Sequence, residues 1–330
     1  MDSQPVTPAI PIDPAPAGDA DRRSLAPDVT TLFARRAKRF RTLAQGHPLG
    51  DWLAFLADLS DAQQDATARL GQHPDLTLPD AETIAQARTH ALPVLTGRYR
   101  PPRSLWHRAL RELAKSLQPR APEPARAALD ALIATPERFD ALALALLNDG
   151  GVPQDVPAQP PNAALLPFVG AALQVVWSAQ AARLDPTSLR HVENGALCPC
   201  CGSTPVASVV RTDDAINNLR YLHCALCNTE WNRPRATCTA CGDEASVAYQ
   251  QIEHQNGAVR AETCDRCRSY LKIVYQEKDS QVDPVADDLA TLGISHDCAP
   301  LLDVPQPDAD EIIGDRAFAT DGDCVARLGL

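Results

Sequence analysis

Eight cysteines lie in four Cys-x-x-Cys knuckles between residues 198 and 267, and the knuckles repeat. Cys198, Cys201, Cys224 and Cys227 recur forty residues later as Cys238, Cys241, Cys264 and Cys267. Gly202 and Gly242 each follow the second cysteine of their set, and Arg220 and Arg260 also correspond. A knuckle often turns there through a left-handed conformation that glycine adopts without strain. A two-residue spacer lets both sulfurs of one tight turn aim at a common point, and a hairpin returns a second pair to complete a tetrahedron. Each repeat is therefore expected to close one four-thiolate site; a cross-braced pairing of Cys198 and Cys201 with Cys238 and Cys241 is the alternative that spacing leaves open. A unit of forty residues has too little core to fold alone, whereas one structural zinc contributes roughly 10 to 16 kcal/mol of apparent binding free energy. That equals the whole net stability of an ordinary domain. A closed four-sulfur tetrahedron suits zinc or a single rubredoxin-type iron equally, so spacing leaves the metal open.

The rest of the chain sets the context for these sites. Its 330 residues are enough for two domains, and its net charge of -11 argues against attraction to nucleic acid or anionic lipid. Between residues 190 and 280, ten Lys/Arg stand against eleven Asp/Glu, and four thiolates on a divalent ion add further negative charge. A zinc ribbon binding nucleic acid would lack its phosphate-binding term. A thiol-disulfide oxidoreductase would be better served by one dithiol in a βαβ setting than by paired knuckles. Ribbons that act purely as metal-stapled scaffolding remain compatible with the repeat. The sequence offers no nucleophile and base, acid/base pair or phosphate loop, so no enzyme is expected.

The most apolar run, residues 163 to 177, is too short to span a bilayer and contains Pro167 and Gly170. It is expected to be a buried helix, without membrane insertion. Residues 1–27 are rich in Pro, Ala and Asp and lack both the basic start and the apolar stretch of a secretory signal; no hydrophobic segment follows the Arg22-Arg23 pair. They predict a disordered leader on a cytoplasmic protein, whose reduced thiols favour metal over disulfides.

From residue 28 to 184 the periodicity is helical. Val29, Leu32, Phe33, Ala37, Phe40 and Leu43 mark one apolar face, and Trp52, Phe55, Leu56, Leu59, Ala62, Ala66 and Leu70 mark another. Gly46 and Pro48 should end the first helix. Ser104 is a candidate cap for a helix carrying Trp106, Leu110, Leu113 and Leu117, and Thr135-Pro136 is a candidate start for the next apolar stretch. The basic run at 34–41, "ARRAKRFR", suits an acidic partner or a solvated face, and the solvated face is the expectation. His47, His90 and His107 stand apart from any catalytic pattern.

Around the knuckles, Cys200 is expected to be a turn residue rather than a ligand, and Cys298 and Cys324 fall outside the repeat. Hairpins are predicted between paired knuckles, the second marked by Asn256-Gly257. Arg220, Tyr221, His223, Trp231, Arg233 and Arg235 cluster near the second knuckle. They suit either a recognition surface or a shield around the sulfurs, with His223 a weak candidate for a replacement ligand.

The motifs "CPCCGS", "LRYLHCALCNTEWNRPRATCTACG" and "AETCDRCRSYLKIVYQEKDSQVDPVADDLATL", preceded by "LFARRAKRFRTLAQGHPLGDWLAFLADL", resemble the formate dehydrogenase accessory protein family, FdhE. The resemblance runs from about residue 28 to 293; the ending after residue 294 departs from it. Composition, periodicity and the resemblance together predict an α+β chain: a disordered leader at 1–27, an all-α helical domain at 28–184, two tandem rubredoxin-like, zinc-ribbon-like β modules at 195–235 and 236–282, and a tail at 283–330. The resemblance further implies a cytoplasmic, non-catalytic maturation factor, a chaperone-like protein that binds the catalytic subunit of a respiratory formate dehydrogenase before export. The implied iron ligands are Cys198, Cys201, Cys224, Cys227, Cys238, Cys241, Cys264 and Cys267, with zinc as the alternative occupant.

Overall fold

The computed structural model describes residues 24–71, 73–96, 101–121, 123–148, 165–190, 195–212, 217–250 and 257–292. Cys298, Cys324 and Asn256 lie outside them. The first half is helical, with α1 (Leu32–Ala44), α2 (Gly50–Leu70), α3 (Ala81–Thr89), α4 (Arg103–Leu117), α5 (Glu123–Ala134), α6 (Asp140–Asn148) and α7 (Leu166–Ala181). Leu32, Phe33, Ala37 and Phe40 form the buried stripe of α1, at the spacing an amphipathic helix requires. Gly46 then takes φ +70°, which turns the chain into α2. That helix packs along α1 and also meets α4 and α7. Helix α7 is the predicted apolar segment: apart from Pro167 in its first turn, it is buried along its whole length.

Two expected helix starts are displaced. Ser104 lies inside α4, whose N-cap is Pro102. Thr135 precedes a 3-10 turn over Pro136–Phe139, and its hydroxyl bonds back to the Ala131 carbonyl at 3.3 Å instead of capping.

The second half forms one sheet from β1 (Ser24–Leu25), β2 (Pro205–Thr212), β3 (Asn217–Cys224), β4 (Glu230–Asn232), β5 (Val247–Gln250), β6 (Val259–Cys264) and β7 (Ser269–Tyr275), in the order β1-β4-β3-β2-β7-β6-β5. The repeat is visible as two antiparallel three-stranded units, β2-β3-β4 and β5-β6-β7. They join through parallel pairing of β2 with β7, Ser208 opposite Ile273. Both joining strands are buried almost from end to end, as parallel neighbours covered on both faces should be. The two modules are thus halves of one sheet. Ser24 and Leu25, within the stretch expected to be a disordered leader, instead pair antiparallel with β4, so β4 gains an outer neighbour as β7 does from β2, which joins in parallel.

After β7 the chain returns to the helical half through α8 (Pro284–Ala290). Asp283 caps it, accepting from the backbone N–H of Val285 and Ala286 at 3.0 and 2.8 Å. Here the expectation of a solvated basic face fails. Arg35, Lys38 and Arg41 are exposed, but Arg36 and Arg39 retain only 1% and 8% exposure. Arg36 Nε lies 3.1 Å from Asp283; Arg39 reaches Asp287 at 2.6 Å and Asp279 at 2.8 Å. The reason is geometric: positions 36 and 39 are three apart and flank the stripe of Phe33, Ala37 and Phe40, so they turn inward with it. Lys272 of β7 adds a buried pair with Asp288 at 3.0 Å. The histidines also find structural partners, His47 at the Ala290 carbonyl (3.0 Å) and His107 at Asp140 (2.7 Å).

Breaking a buried ion pair from one side leaves the other charge stranded, at a cost of about 3 to 5 kcal/mol. Arg39→Ala is therefore expected to lower the unfolding free energy by about that amount in urea titration. Arg41→Ala, which removes half-exposed pairs with Asp58 and Asp61, should cost less than about 1 kcal/mol.

Candidate metal centres

Each repeat folds its two knuckles in the same way. The Cys198 N–H donates to the Ser203 carbonyl at 2.9 Å and Gly202 N–H to the Cys198 carbonyl at 2.9 Å; forty residues on, the matching bonds are Cys238 to Asp243 at 2.8 Å and Gly242 to Cys238 at 3.0 Å. Gly202 and Gly242 have φ of +82° and +76°. The returning knuckles turn on Asn228 (φ +55°) and Arg268 (φ +59°), also forty apart.

The sulfurs converge within the repeats, not across them. Sγ of Cys198 lies 3.6 Å from that of Cys227, and Cys201 lies 3.4 Å from Cys224. The second set gives 3.5 Å for Cys238 and Cys267 and 3.8 Å for Cys241 and Cys264. Within each set all four sulfurs lie within 4.8 Å of one another. Four sulfurs about 2.3 Å from one ion stand about 3.8 Å apart in a tetrahedron, whereas a disulfide needs about 2.05 Å. The donor set therefore fits a four-thiolate metal ion. The Thr229 and Ser269 hydroxyls, another pair forty apart, lie 3.2 and 3.0 Å from the Cys227 and Cys267 sulfurs. Backbone N–H groups of Leu226 and Cys227 point at Cys224 Sγ, each at 3.4 Å, the contacts that tune a metal–thiolate bond.

Burial pushes the Cys198 and Cys224 thiols well up, and Cys264 is pushed up to about 12. Burial also pushes on Cys238, but the Cys241 N–H, the Ser269 hydroxyl and Cys267 outweigh it and bring that thiol down to about 7. Binding a cation by thiolates displaces these protons, so acid opposes it.

The first centre sits against the helical half. The Cys200 carbonyl accepts from Leu95 N–H at 2.7 Å, and a Cβ on Gly202 would stand 3.3 Å from Pro93. Gln174 and Ser178 of α7 hold the returning knuckle, Gln174 donating to the Ala225 carbonyl at 2.8 Å and Ser178 accepting from Asn228 at 2.8 Å. Cys200 is buried beside Cys227 but is not one of the four converging sulfurs, in keeping with its expected turn role.

His223 is no replacement ligand. Its Nδ1 lies 2.9 Å from Glu230 and its Nε2 3.0 Å from Asn228 Oδ1, so both nitrogens are engaged away from the sulfurs. Burial pushes Glu230 up, but Arg211 and His223 hold it down to about 2. The six-residue cluster is not an open recognition surface either: Arg220, Tyr221, His223 and Trp231 are buried. Trp231 packs in the cluster that holds the first-centre cysteines, with its Nε1 donating to the Gly195 carbonyl at 3.1 Å. Tyr221 belongs to a separate cluster with Val209 and Val259. Arg220 ties the units together, reaching the Thr237 carbonyl at 2.9 Å and Glu262 at 2.7 Å. Sequence reasoning missed Asn228, Thr229 and Ser269; comparing positions forty apart beyond the cysteines was the signal that points to the hydroxyl pair.

Comparison with known proteins bears on this geometry. Family matches described as "FdhE, N-terminal", "FdhE, central domain" and "FdhE, C-terminal domain" cover residues 22–194, 197–235 and 236–299. The chain belongs to the FdhE family. It is 43% identical over 271 residues to the FdhE homolog of Edwardsiella ictaluri, covering 81% of this chain and 84% of that one. With the homolog from Serratia proteamaculans it shares 42% over 267 residues, 80% and 82% of the two chains. The crystal structure of the FdhE protein from Pseudomonas aeruginosa superposes with a TM-score of 0.71 at 37% identity, covering 84% of this chain and 94% of that one. Among the described residues, no helix is long and apolar enough to cross a membrane.

Metal analysis of the purified protein checks this FdhE-type arrangement. Cys227→Ser is expected to halve the metal content and Cys200→Ser to leave it unchanged. X-ray absorption should show sulfur alone around the metal.

Proposed function

We propose that this protein is an accessory factor for formate dehydrogenase, not itself catalytic, that carries one metal ion on Cys198, Cys201, Cys224 and Cys227 and another on Cys238, Cys241, Cys264 and Cys267. It binds the catalytic subunit of a respiratory formate dehydrogenase in the cytoplasm, before export, through the surface that the two centres organise. Membership of the FdhE family supports the accessory role. The observation that carries the reading is that both four-sulfur sets sit at strand ends of one continuous sheet, Cys224 closing β3 and Cys264 closing β6. Two metal-stapled halves of one sheet hold their loops in fixed register, and fixed loops suit recognition of a folded partner.

Iron is the proposed occupant of both sites. Four thiolates hold iron in the same tetrahedral geometry as zinc, and the bound ion supplies rigidity together with the ability to change oxidation state. The protein's own part is to orient the sulfurs, donate N–H groups to them and keep water from the first centre.

The test is affinity capture of the full chain from anaerobically grown cells. The dehydrogenase catalytic subunit should co-purify, and protein prepared without air should contain iron and turn coloured on oxidation. Cys264→Ser should lose the subunit and leave little formate oxidation, with unrelated molybdenum enzymes unaffected. Normal formate oxidation with that variant would refute the role of the centres, and a colourless, zinc-only preparation from iron-fed cells would refute iron.

A further inference from the structure

The forty-residue repeat lets the two centres be compared position by position. Their sulfur geometry is alike and their surroundings are opposite. In the first, Cys198, Cys224 and Cys227 have no exposure and Cys201 has 8%. In the second, Cys238 and Cys264 form a buried floor, but Cys267 is half-buried and Cys241 is exposed.

The residues that close the first centre have open counterparts in the second. Leu226 packs against the main hydrophobic core, whereas its counterpart Arg266 has a side chain 67% exposed. Gly202 abuts Pro93, whereas only the end of Arg233, 3.9 Å away, stands near a Cβ on Gly242. The Cys200 carbonyl is tied to Leu95; its counterpart Ala240 is half-buried. Across the open side the two knuckles of the second centre are bridged by the ion pair of Arg266 with Asp243, at 3.0 Å. With its Arg266 end in solvent, such a pair contributes little and weakens with salt.

We propose that the two centres are unequal: the 198–227 centre is a closed structural site, and the 238–267 centre is an exchange site that yields its metal ion, through Cys241 and Cys267, to an acceptor bearing thiolates. This rests on the reading of both sets as metal sites. Transfer is a ligand exchange in which no electron moves. An acceptor thiol would give up its proton as its sulfur took the place of Cys241 on the ion, and the released Cys241 thiolate would take up that proton. Cys267 would be displaced next by a second acceptor thiol in the same way, and the floor residues Cys238 and Cys264 last. The acceptor must offer thiolates, because only such soft donors compete with a four-sulfur site. At the first centre the helical half occupies the volume through which an incoming sulfur would have to approach.

The test uses the full-length protein loaded with two equivalents of zinc and challenged with the dithiol dimercaptopropanesulfonate. Zinc remaining on the protein is measured in samples desalted at intervals, and iodoacetamide labelling is read by mass spectrometry. One equivalent should leave about tenfold faster than the other or more, because the dithiol meets accessible sulfurs at the second centre, whereas those of the first are exposed only when the core opens. The fast rate should rise with dithiol concentration, with Cys241 and Cys267 labelled during that phase and Cys198, Cys224 and Cys227 protected. Release of both equivalents in one phase, a fast rate independent of dithiol, or earlier labelling of the first-centre cysteines would overturn the inequality. A chain that takes up no zinc would instead overturn the metal-site reading beneath it.

Discussion

Two guanidinium groups held out of water, on Arg36 and Arg39, tie the halves of this protein together. Stripping water from two cations is costly, and the cost is offset only by partners in good geometry. Asp279, Asp283 and Asp287 supply them from the segment after β7 and from α8. Arg36 also donates to Asn228 at 2.8 Å, and Asn228 in turn meets Ser178 of α7 and His223 of β3. A continuous polar chain therefore runs from α1 through the returning knuckle of the first centre into the sheet. The first four sulfurs are closed off because this chain holds the helical half against them.

The same arrangement explains how one repeated sequence yields two different environments. Spacer, glycine turn and hydroxyl partner recur at forty-residue intervals, and with them the sulfur geometry recurs. What does not recur is the neighbour. The first unit carries Leu226, Cys200 and Asn228, which meet α7 and the Leu95 segment. At the same positions the second carries Arg266, Ala240 and Arg268, and its open side is bridged by an ion pair whose Arg266 end is exposed. A buried four-thiolate site contributes its binding free energy to folding and stays closed; one with two accessible sulfurs remains within reach of other molecules. In this member of the FdhE family, a closed and an accessible set of four sulfurs are complementary properties of a single sheet.

By itself the sequence determined what is local and periodic. Cys-x-x-Cys spacing, the forty-residue repeat, Gly202 and Gly242 dictate two tetrahedral sets of sulfurs, because turn geometry is set by a few neighbouring residues. The apolar stripe of α1 and the largely apolar run of α7 were likewise legible from the sequence pattern. Tertiary structure alone decided matters that depend on who packs against whom. The parallel join of β2 to β7 brings together segments some sixty residues apart, with no local signal for it. The inward turn of Arg36 and Arg39 follows from three aspartates about 240 residues away, which no period reveals. His223 beside Cys224 is only a weak replacement-ligand candidate in sequence, and the fold decides against it, since Glu230 and Asn228 claim both its nitrogens. Which centre is closed was decided in the same way, because burial belongs to the assembled neighbours and not to the repeat.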